Sequence, residues 1–415
     1  MENETLTKET NLAKIDIGLR GKSLQERGRI FREFIDASRA SSHYFRRINS
    51  PMDREVEIID QQSQKRKMLM FGSNNYLGLA NHPKLSEKIQ GYIQKYGIGI
   101  GGPAILNGYS ELMVKVESKI NNLKGTEDSL VFSSGFGANL GLIKGLCQQE
   151  DLILADEYSH ASVVDGIKLA GCQVKKFKHN NISHLEALLK KYAGVKNKLV
   201  AVEGIYSMDG DMAPLDEIIP LCNKYNAFLV LDDAHGTGVV GDHGEGTHSL
   251  FPEQADHHLN VGTFSKTFAV TGGFIAGNRD LISYLRYSAR SYMFSAALPP
   301  ISLATILSEF EILEEENWRI ARLHANVKYL AERLGHIGFC GEPKGGIISI
   351  KIPIGADIGA MASSYHKAGI FINAIEYPAV SLNKQRFRIS CNSNHTKTDL
   401  DRLIEVTDTI YRQYI

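Results

Sequence analysis

The 415-residue chain has no CxxC pair and no long uncharged apolar run, and these absences narrow its class. Its five cysteines are scattered, which argues against a zinc site and a disulfide framework and favours a reducing compartment. No apolar run approaches the roughly 20 residues of a membrane span. The N-terminal segment lacks the apolar core of a signal peptide, and we therefore expect a cytoplasmic protein.

An excess of charge of one sign is also absent, because 47 basic residues balance 47 acidic residues. A chain without net charge has no general attraction for nucleic acid or for an anionic membrane. We therefore expect no nucleic-acid partner. Hydrophobic residues make up 43% and charged residues 23%, as in ordinary globular enzymes.

Helical patterns alternate with short apolar runs from about residue 80 to residue 295. The apolar runs are DSLVFSS, DLILADE, KLVAVEG, AFLVLDD and HLNVGTF. Such alternation predicts an α/β fold with a largely parallel sheet covered on both faces. Beyond residue 295, one long helical stretch leads into two strand-like runs. We predict an N-terminal arm over residues 1–70, a large domain over 71–294 and a small α+β domain over 295–415.

Lys266 follows one apolar run and lies beside the small hydroxyl residues Thr263 and Ser265. A lysine that forms a Schiff base must be unprotonated, so it needs a partly desolvated site. The two hydroxyls could donate hydrogen bonds to a phosphate. Taken alone, a lysine after a strand is more often an ordinary surface residue.

Asp232 and His235 lie in LVLDDAH, at the predicted carboxyl end of a parallel strand, where open α/β sheets bind ligands. A carboxylate there could pair with a protonated pyridine nitrogen, and the histidine could reach a phenolic oxygen on the same ring. The alternatives are a metal pair or the acidic strand end of a nucleotide-binding fold. The second alternative fails because no GxxxxGK[ST] motif precedes it.

Two further segments carry weaker signals. In FSSGFGANLGL, small residues precede an apolar helix whose first N–H groups could bind phosphate. In DEYSHASVVDG, His160 could stack on a flat ring, although a lone histidine is more often structural. A GxGxxG match at residues 97–102 lacks a preceding strand. The histidines and acids of residues 242–258 fit no ligand spacing, so we expect no metal site.

Together, in this order and spacing, these segments resemble the α-oxoamine synthases, which are pyridoxal-phosphate (PLP) enzymes of fold type I. The matching segments are FGSNNYLGLANHP, SHASVVDG, YSMDGD, LDDAHGTGVVG, GTFSK and RISCNSNHT. The resemblance covers about residues 70–400. It implies PLP as the cofactor, a mostly parallel seven-stranded sheet in the large domain, and a homodimer with shared active sites.

The resemblance also implies residue roles. Lys266 would carry the cofactor and move the substrate α-proton, His160 would stack on the ring, and Asp232 would pair with the pyridine nitrogen. Asn74 and Arg388 would bind the amino-acid carboxylate, for which the planar guanidinium suits bidentate binding. The remaining implied cofactor contacts are Ser207 and His235 at the phenolic oxygen, and Gly135, Phe136, Thr263, Ser265 and Ser295 at the phosphate.

The implied reaction joins an amino acid to an acyl thioester, with release of CoA and, in most members, of CO₂. The segment YFRRINSPMDREVEII most resembles bacterial serine palmitoyltransferases. We therefore expect L-serine and a long acyl-CoA to give a 3-keto sphingoid base, a step of sphingolipid biosynthesis. Activities of 8-amino-7-oxononanoate synthase and 2-amino-3-ketobutyrate CoA ligase stay open. An acyl-carrier-protein donor and peripheral membrane contact stay open too.

Two positions depart from the family pattern. Ala104 stands where the family usually has arginine, and Met113 stands where it commonly has histidine. Both are expected near the active-site entrance, so the contact with the acyl donor stays open. Two other classes are a fold-type I aminotransferase and a non-catalytic regulatory subunit. A subunit of the latter kind would lack the Schiff-base lysine.

Overall fold

The computed structural model describes residues 18–40, 44–60 and 63–414. None of the helices in these ranges is both long and apolar enough to span a membrane. The expectation that the N-terminal segment is not a signal peptide concerns residues 1–17, which lie outside the described residues.

The helices are α1 (Leu24–Ala40), α2 (Leu85–Tyr96), α3 (Glu111–Lys124), α4 (Gly135–Leu146), α5 (Ala161–Ala170), α6 (Ile182–Lys191), α7 (Leu215–Lys224), α8 (Arg279–Ser288), α9 (Arg290–Met293), α10 (Pro300–Glu315), α11 (Trp318–Leu334), α12 (Ile358–Lys367) and α13 (Lys397–Tyr411). The strands are β1 (Arg47–Ile48), β2 (Glu55–Ile59), β3 (Lys65–Met70), β4 (Asp128–Phe132), β5 (Leu152–Asp156), β6 (Gln173–Phe177), β7 (Lys198–Glu203), β8 (Phe228–Asp232), β9 (His258–Thr263), β10 (Gly273–Gly277), β11 (Ile347–Lys351), β12 (Ile370–Phe371), β13 (Asn373–Ile375) and β14 (Arg386–Ser390).

The chain divides into two compact units. The larger unit comprises Asn74–His324 and Lys344–Gly346, and the smaller comprises Met1–Ser73, Ala325–Pro343 and Ile347–Ile415. The described residues before Asn74 are thus grouped with C-terminal residues. The three-part division expected from the sequence, with boundaries at residues 70/71 and 294/295, stays a prediction.

The larger unit contains a seven-stranded sheet with the order β4-β10-β9-β8-β7-β5-β6. Strand β10 runs antiparallel to both of its neighbours, and the remaining pairs are parallel. The mostly parallel α/β sheet expected for fold type I is confirmed. Two of its strands, β6 and β10, were not recognised in the sequence.

Both faces of this sheet are covered, which is why its central strands are apolar throughout. Alternate residues such as Ile153 and Val230 pack in one core with residues of α4 and α5. Their neighbours, such as Leu154 and Leu231, pack in a second core with residues of α6 and α7. Because side chains alternate along a strand, the last residue of β8 points toward the same side as Val230.

The long helical stretch predicted after residue 300 is two helices in the structure. Helix α10 ends at Glu315, and Glu316 has non-helical backbone angles of φ −126° and ψ 45°. The Glu316 carboxylate accepts hydrogen bonds from Arg319 in the first turn of α11, where a negative charge favours the helix start.

The smaller unit is an α+β arrangement with two sheets. One has the order β1-β2-β3-β12, and the other, β11-β14-β13, is antiparallel. The two strand-like runs expected after residue 295 are β11 and β14. The buried His395 lies 3.1 Å from the Met70 carbonyl oxygen and stacks on Phe71, with ring centroids 4.1 Å apart.

Candidate active site

The carboxyl ends of neighbouring parallel strands in the larger unit bring several polar side chains together. The sheet register pairs Glu203, the last residue of β7, with Asp232, the last residue of β8. Paired residues on parallel strands direct their side chains to the same face. This edge is where ligands bind in open α/β sheets.

Asp232 is 5% exposed, and both of its carboxylate oxygens accept hydrogen bonds. Asn139 of α4 donates to Oδ2 over 2.6 Å, and the Ala234 backbone N–H donates to Oδ1 over 3.2 Å. The site therefore offers a buried, oriented carboxylate to which a protonated ring nitrogen could donate.

Asp233, the residue after Asp232, forms a buried ion pair. Its Oδ2 lies 2.9 Å from the Lys124 amine, and both side chains are fully buried. The Thr247 hydroxyl also donates to Oδ1 over 2.9 Å. Among the described residues there is no group of three or more His, Cys, Asp or Glu side chains that could hold a metal ion.

His160 caps the start of α5 and is linked to Asp232 through two side chains. Its Nδ1 lies 2.7 Å from Ser162 Oγ and accepts from the Ser162 backbone N–H over 3.2 Å. Ser162 Oγ in turn accepts from Asn139 over 3.0 Å. Because Nδ1 accepts a hydrogen bond, a neutral His160 carries its proton on Nε2.

Desolvation by the surrounding protein lowers the pKa of His160. The charge of Asp232 opposes this effect, and the charge of Lys266 adds to it. His160 is also exposed, so its neutral imidazole is available to stack on an aromatic ring. Phe136, which is 46% exposed, meets the His160 ring edge-on with centroids 6.4 Å apart.

Glu203 is fully buried beside these residues. Burial raises the pKa of Glu203 well above its ordinary value, and the neighbouring charge of Asp232 raises it further. Lys266 lowers it, so the lysine lies within electrostatic reach of this strand end as well. Glu203 Oε2 accepts from the Ser207 backbone N–H over 3.2 Å. Burial and the adjacent carboxylate of Asp232 therefore favour the protonated form of Glu203.

The start of α4 forms a cradle of small residues. Ser134 caps the helix, since its hydroxyl accepts from the Gly137 backbone N–H over 2.9 Å. A Cβ at Gly135 would lie only 2.8 Å from Thr263 Cβ, so this close approach requires glycine. The first N–H groups of a helix have no intrahelical partner and favour an anion.

Thr263 and Ser295, two of the hydroxyl residues predicted to contact the phosphate, have hydrogen-bond partners within the protein. Thr263 donates to the Gly272 carbonyl oxygen over 2.9 Å and accepts from the Ser265 backbone N–H over 3.2 Å. The Ser295 hydroxyl lies 3.1 Å from that of Ser133. Their contact with a phosphate stays a prediction.

His235 and Asn74 meet through a tyrosine that the sequence reasoning missed. The Tyr76 hydroxyl lies 2.7 Å from His235 Nδ1 and donates to Asn74 Oδ1 over 3.2 Å. The tyrosine is fully buried. Arg388 lies on β14 of the smaller unit and is 8% exposed, so its pairing with Asn74 stays a prediction.

Three residues of the site were not predicted from the sequence: Asn139, Ser162 and Glu203. Only Asn139 has a recognisable sequence signal. Asn139 is the polar member of an otherwise apolar helix sequence, GFGANLGLIKGL. The two departures from the family pattern, expected near the active-site entrance, are both buried in the apolar core. Met113 is 0% exposed and Ala104 is 6% exposed.

The model of the family described as aminotransferase class I and II matches residues 66–406. The chain belongs to this family. It is 38% identical over 371 residues to serine palmitoyltransferase from Sphingobacterium spiritivorum, covering 89% of this chain and 92% of that protein. It is also 38% identical over 363 residues to 8-amino-7-oxononanoate synthase from Thermosipho melanesiensis, covering 87% and 92%.

Solved structures of serine palmitoyltransferases are also similar to this chain. The Sphingomonas wittichii serine palmitoyltransferase matches with a TM-score of 0.87 at 29% identity, covering 95% of this chain and 99% of that one. A structure of serine palmitoyltransferase with its PLP internal aldimine matches with a TM-score of 0.85 at 26% identity, covering 98% and 99%. The chain is therefore a PLP-dependent α-oxoamine synthase.

The residues present fit this cofactor. The synthase has a buried carboxylate at Asp232 for a protonated ring nitrogen, and the exposed His160, whose pKa is lowered, for the flat ring. It also has a glycine at the start of α4 that a side chain could not replace without meeting Thr263. These features match the positive, flat and anionic parts of PLP respectively.

Proposed function

We propose that this α-oxoamine synthase condenses L-serine with a long-chain acyl-CoA to give a 3-keto sphingoid base. The observation that carries the proposal is the similarity to serine palmitoyltransferases in both sequence and solved structure. The activity of 8-amino-7-oxononanoate synthase is the second candidate, because a relative with that name is equally identical.

The bond changes are those of a decarboxylative condensation. The serine α-carbon loses its proton and forms a C–C bond with the acyl carbonyl carbon, and the thioester C–S bond breaks. CoA leaves as a thiolate that takes up a proton. The serine carboxylate leaves as CO₂, and a proton replaces it. PLP, when bound, supplies an electron sink for the charge that develops at the α-carbon.

The proposed roles of the chain's own residues combine the family resemblance with the contacts of Asp232 and His160. Asp232, which accepts a hydrogen bond from Asn139, would hold positive charge on the ring nitrogen of bound PLP. His160 has its proton on Nε2, where it can donate to the substrate carboxylate. Lys266 anchors the cofactor and moves the proton at the α-carbon. Arg388 binds the serine carboxylate bidentately.

A substrate matrix tests this proposal. Serine, glycine and alanine are each combined with acyl-CoAs of several chain lengths, and release of free CoA is measured. We expect serine with a long saturated acyl-CoA to give the highest kcat/KM, and Lys266→Ala to release no CoA. A preference for alanine with a heptanedioyl thioester, the pair that forms 8-amino-7-oxononanoate, would favour the second candidate. Absence of release from every pair would contradict both.

The acyl donor and membrane contact need separate experiments. Replacing CoA by an acyl-carrier protein in the preferred pair tells which carrier the enzyme uses, and we expect CoA. A long-chain product partitions into lipid, so we expect part of the enzyme to sediment with phospholipid vesicles. Recovery of all the enzyme in the supernatant, with and without vesicles, would contradict peripheral membrane contact.

We further propose a homodimer. The larger unit exposes big apolar side chains, among them Leu106, Tyr287 and Phe294, which are 80%, 72% and 70% exposed. Exposed apolar groups of this size are typical of protein interfaces. Light scattering after size exclusion should give twice the 46.0 kDa of the chain. A fully active monomer at micromolar concentration would contradict the proposal.

A further inference from the structure

His179, two residues after β6, directs both ring nitrogens at carboxylates. Nδ1 lies 3.0 Å from Asp156 Oδ1, and Nε2 lies 2.9 Å from Asp211 Oδ2. An ionised carboxylate only accepts hydrogen bonds, so both contacts require a proton on each nitrogen, which is the imidazolium form. Burial by itself would lower the pKa of His179. The hydrogen bonds and charges of Asp156 and Asp211 overcome it and raise this pKa to about 9.

The imidazole ring of His179 is fixed in orientation by its neighbours. It stacks on Tyr158 with centroids 4.3 Å apart, and it meets the edge of the buried Tyr206 at 4.4 Å. Asn180 bonds the same two carboxylates. Its backbone N–H donates to Asp156 Oδ2 over 3.0 Å, and its side chain donates to Asp211 Oδ2 over 3.1 Å.

The two carboxylates belong to different segments of the site. Asp156 ends β5, and its backbone oxygen accepts from the Ser159 hydroxyl over 2.8 Å, next to His160. Asp211 lies in a hairpin, residues 205–212, that is closed by a bridge between its ends and by the Tyr206 N–H donating to the Asp211 carbonyl oxygen. This hairpin carries Ser207. His179 therefore connects the segments that present two of the proposed cofactor contacts.

We propose that the His179 imidazolium is a positioning residue for the cofactor, which keeps residues 156–160 and the 205–212 hairpin in place and weakens PLP binding when it loses its proton at alkaline pH. The inference concerns PLP binding alone. It does not depend on which amino acid or acyl thioester the enzyme uses.

The groups around His179 favour this behaviour. Among the described residues, the charged groups facing the ring are Asp156 and Asp211, with the phenols of Tyr158 and Tyr206 on its other sides. Glu157 accepts from the His179 backbone N–H over 3.1 Å and adds negative charge nearby. The preceding Lys178 directs its own backbone N–H at the ring of His184 over 3.1 Å.

Loss of the proton changes one of the two contacts from attraction to repulsion. A neutral imidazole keeps one N–H, so a lone pair then faces the second carboxylate. The folded-state pKa of His179 is raised, so its stabilising contribution is complete below the ordinary histidine pKa of about 6.5 and is lost as pH rises through about 9. His179 therefore loses its stabilising contribution at alkaline pH.

The experiment measures the dissociation constant of PLP from the enzyme between pH 7 and pH 10, with three variants. His179→Gln has one donor nitrogen in place of the two that face Asp156 and Asp211. Asp211→Asn removes one charge and lowers the His179 pKa. His184→Gln is the matched control, because the His184 ring accepts one hydrogen bond, from the backbone N–H of Lys178, the residue before His179. Selective ¹³C labelling of histidine gives the His179 pKa in the cofactor-free protein by NMR.

We expect the parent and His184→Gln to lose at least tenfold in PLP affinity between pH 8 and pH 10, with the midpoint at the NMR-measured pKa of His179. In Asp211→Asn, the loss of PLP affinity should occur at lower pH than in the parent. The His179→Gln variant should bind weakly at pH 7.5 and show no step. A parent step unrelated to the NMR pKa, or one left in place by Asp211→Asn, would overturn the proposal, even if His179→Gln did not fold.

Discussion

The Asn139 side-chain amide donates a 2.6 Å hydrogen bond to Asp232, which joins the middle of α4 to the end of β8. The same amide nitrogen lies 3.0 Å from Ser162 Oγ, which contacts His160 Nδ1. One buried amide thus orients both the proposed partner of the ring nitrogen and the proposed stacking residue. A change in Asn139 should therefore affect the cofactor's electronic state without touching Lys266.

Replacing Asn139 with leucine tests this relationship. Leucine has a similar volume but cannot donate to Asp232. A hydrogen bond to a charged group is worth about 1.5–3 kcal/mol, so we expect kcat to fall by a factor of about 10 or more. The measurements are the rate of CoA release and the pH dependence of the cofactor absorbance. Asn223→Leu, at a residue that contacts Glu253 on the surface, is the control. A kcat within twofold of the parent would show that Asn139 has no such role.

Replacing Gly135 with alanine tests the phosphate cradle. The added Cβ would lie 2.8 Å from Thr263 Cβ, so the start of α4 must shift away from β9. We expect the affinity for PLP to fall by at least tenfold, measured by equilibrium dialysis. Gly91→Ala is the matched control, since a Cβ at this position of α2 meets nothing within 4 Å. Alanine there should leave PLP binding unchanged and favour the helix by up to about 1 kcal/mol. Equal PLP affinity in both variants would rule out the cradle.

The sequence predicted those parts of the fold that depend on local pattern. Strands β5, β7 and β8 are buried on both faces and therefore appear as apolar runs. Strand β6 lies at the sheet edge, and only Phe177 of its residues is buried, so its sequence resembles a loop. Strand β10, GFIAG, has glycines that fit against Gly135 and Leu259, contacts between segments far apart in sequence.

The same distinction explains the site. Asp232 and His160 were recognised because they follow strand-like runs, where α/β folds bind ligands. Tyr76 and His179 were missed because their importance lies in partners distant along the chain, His235 for the first and Asp211 for the second. A single sequence carries no signal of such pairing.

The buried pair of Lys124 and Asp233 predicts a large stability effect. Both side chains are 0% exposed, and Lys124→Met would leave the Asp233 charge without its counter-ion. We expect the free energy of unfolding to fall by about 3–5 kcal/mol, measured by urea denaturation. The double variant with Asp233→Asn should recover part of this loss. Lys224→Met, which breaks the exposed pair with Glu186, should change stability little. Similar losses in the two lysine variants would contradict the argument.

Glu309 in α10 predicts a dependence of stability on pH. It is 1% exposed, and neither carboxylate oxygen has a hydrogen-bond partner among the described residues. Burial raises the pKa of Glu309 well above its ordinary value. The folded protein then holds a proton that the unfolded chain releases, so the free energy of unfolding falls as pH rises above about 4.3.

Glu309→Met should remove this part of the pH dependence and stabilise the protein at pH 8 by about 1–3 kcal/mol, because a methionine needs no hydrogen bond. The measurement is urea denaturation of parent and variant at pH 5 and pH 8, and the quantity compared is the loss between the two. Glu314→Gln, on the same helix but 61% exposed and paired with Lys119, is the control and should lose as much as the parent. The free energy of unfolding of Glu309→Met could instead fall between pH 5 and pH 8 by as much as that of the parent. The Glu309 carboxylate would then have a partner or access to water in solution.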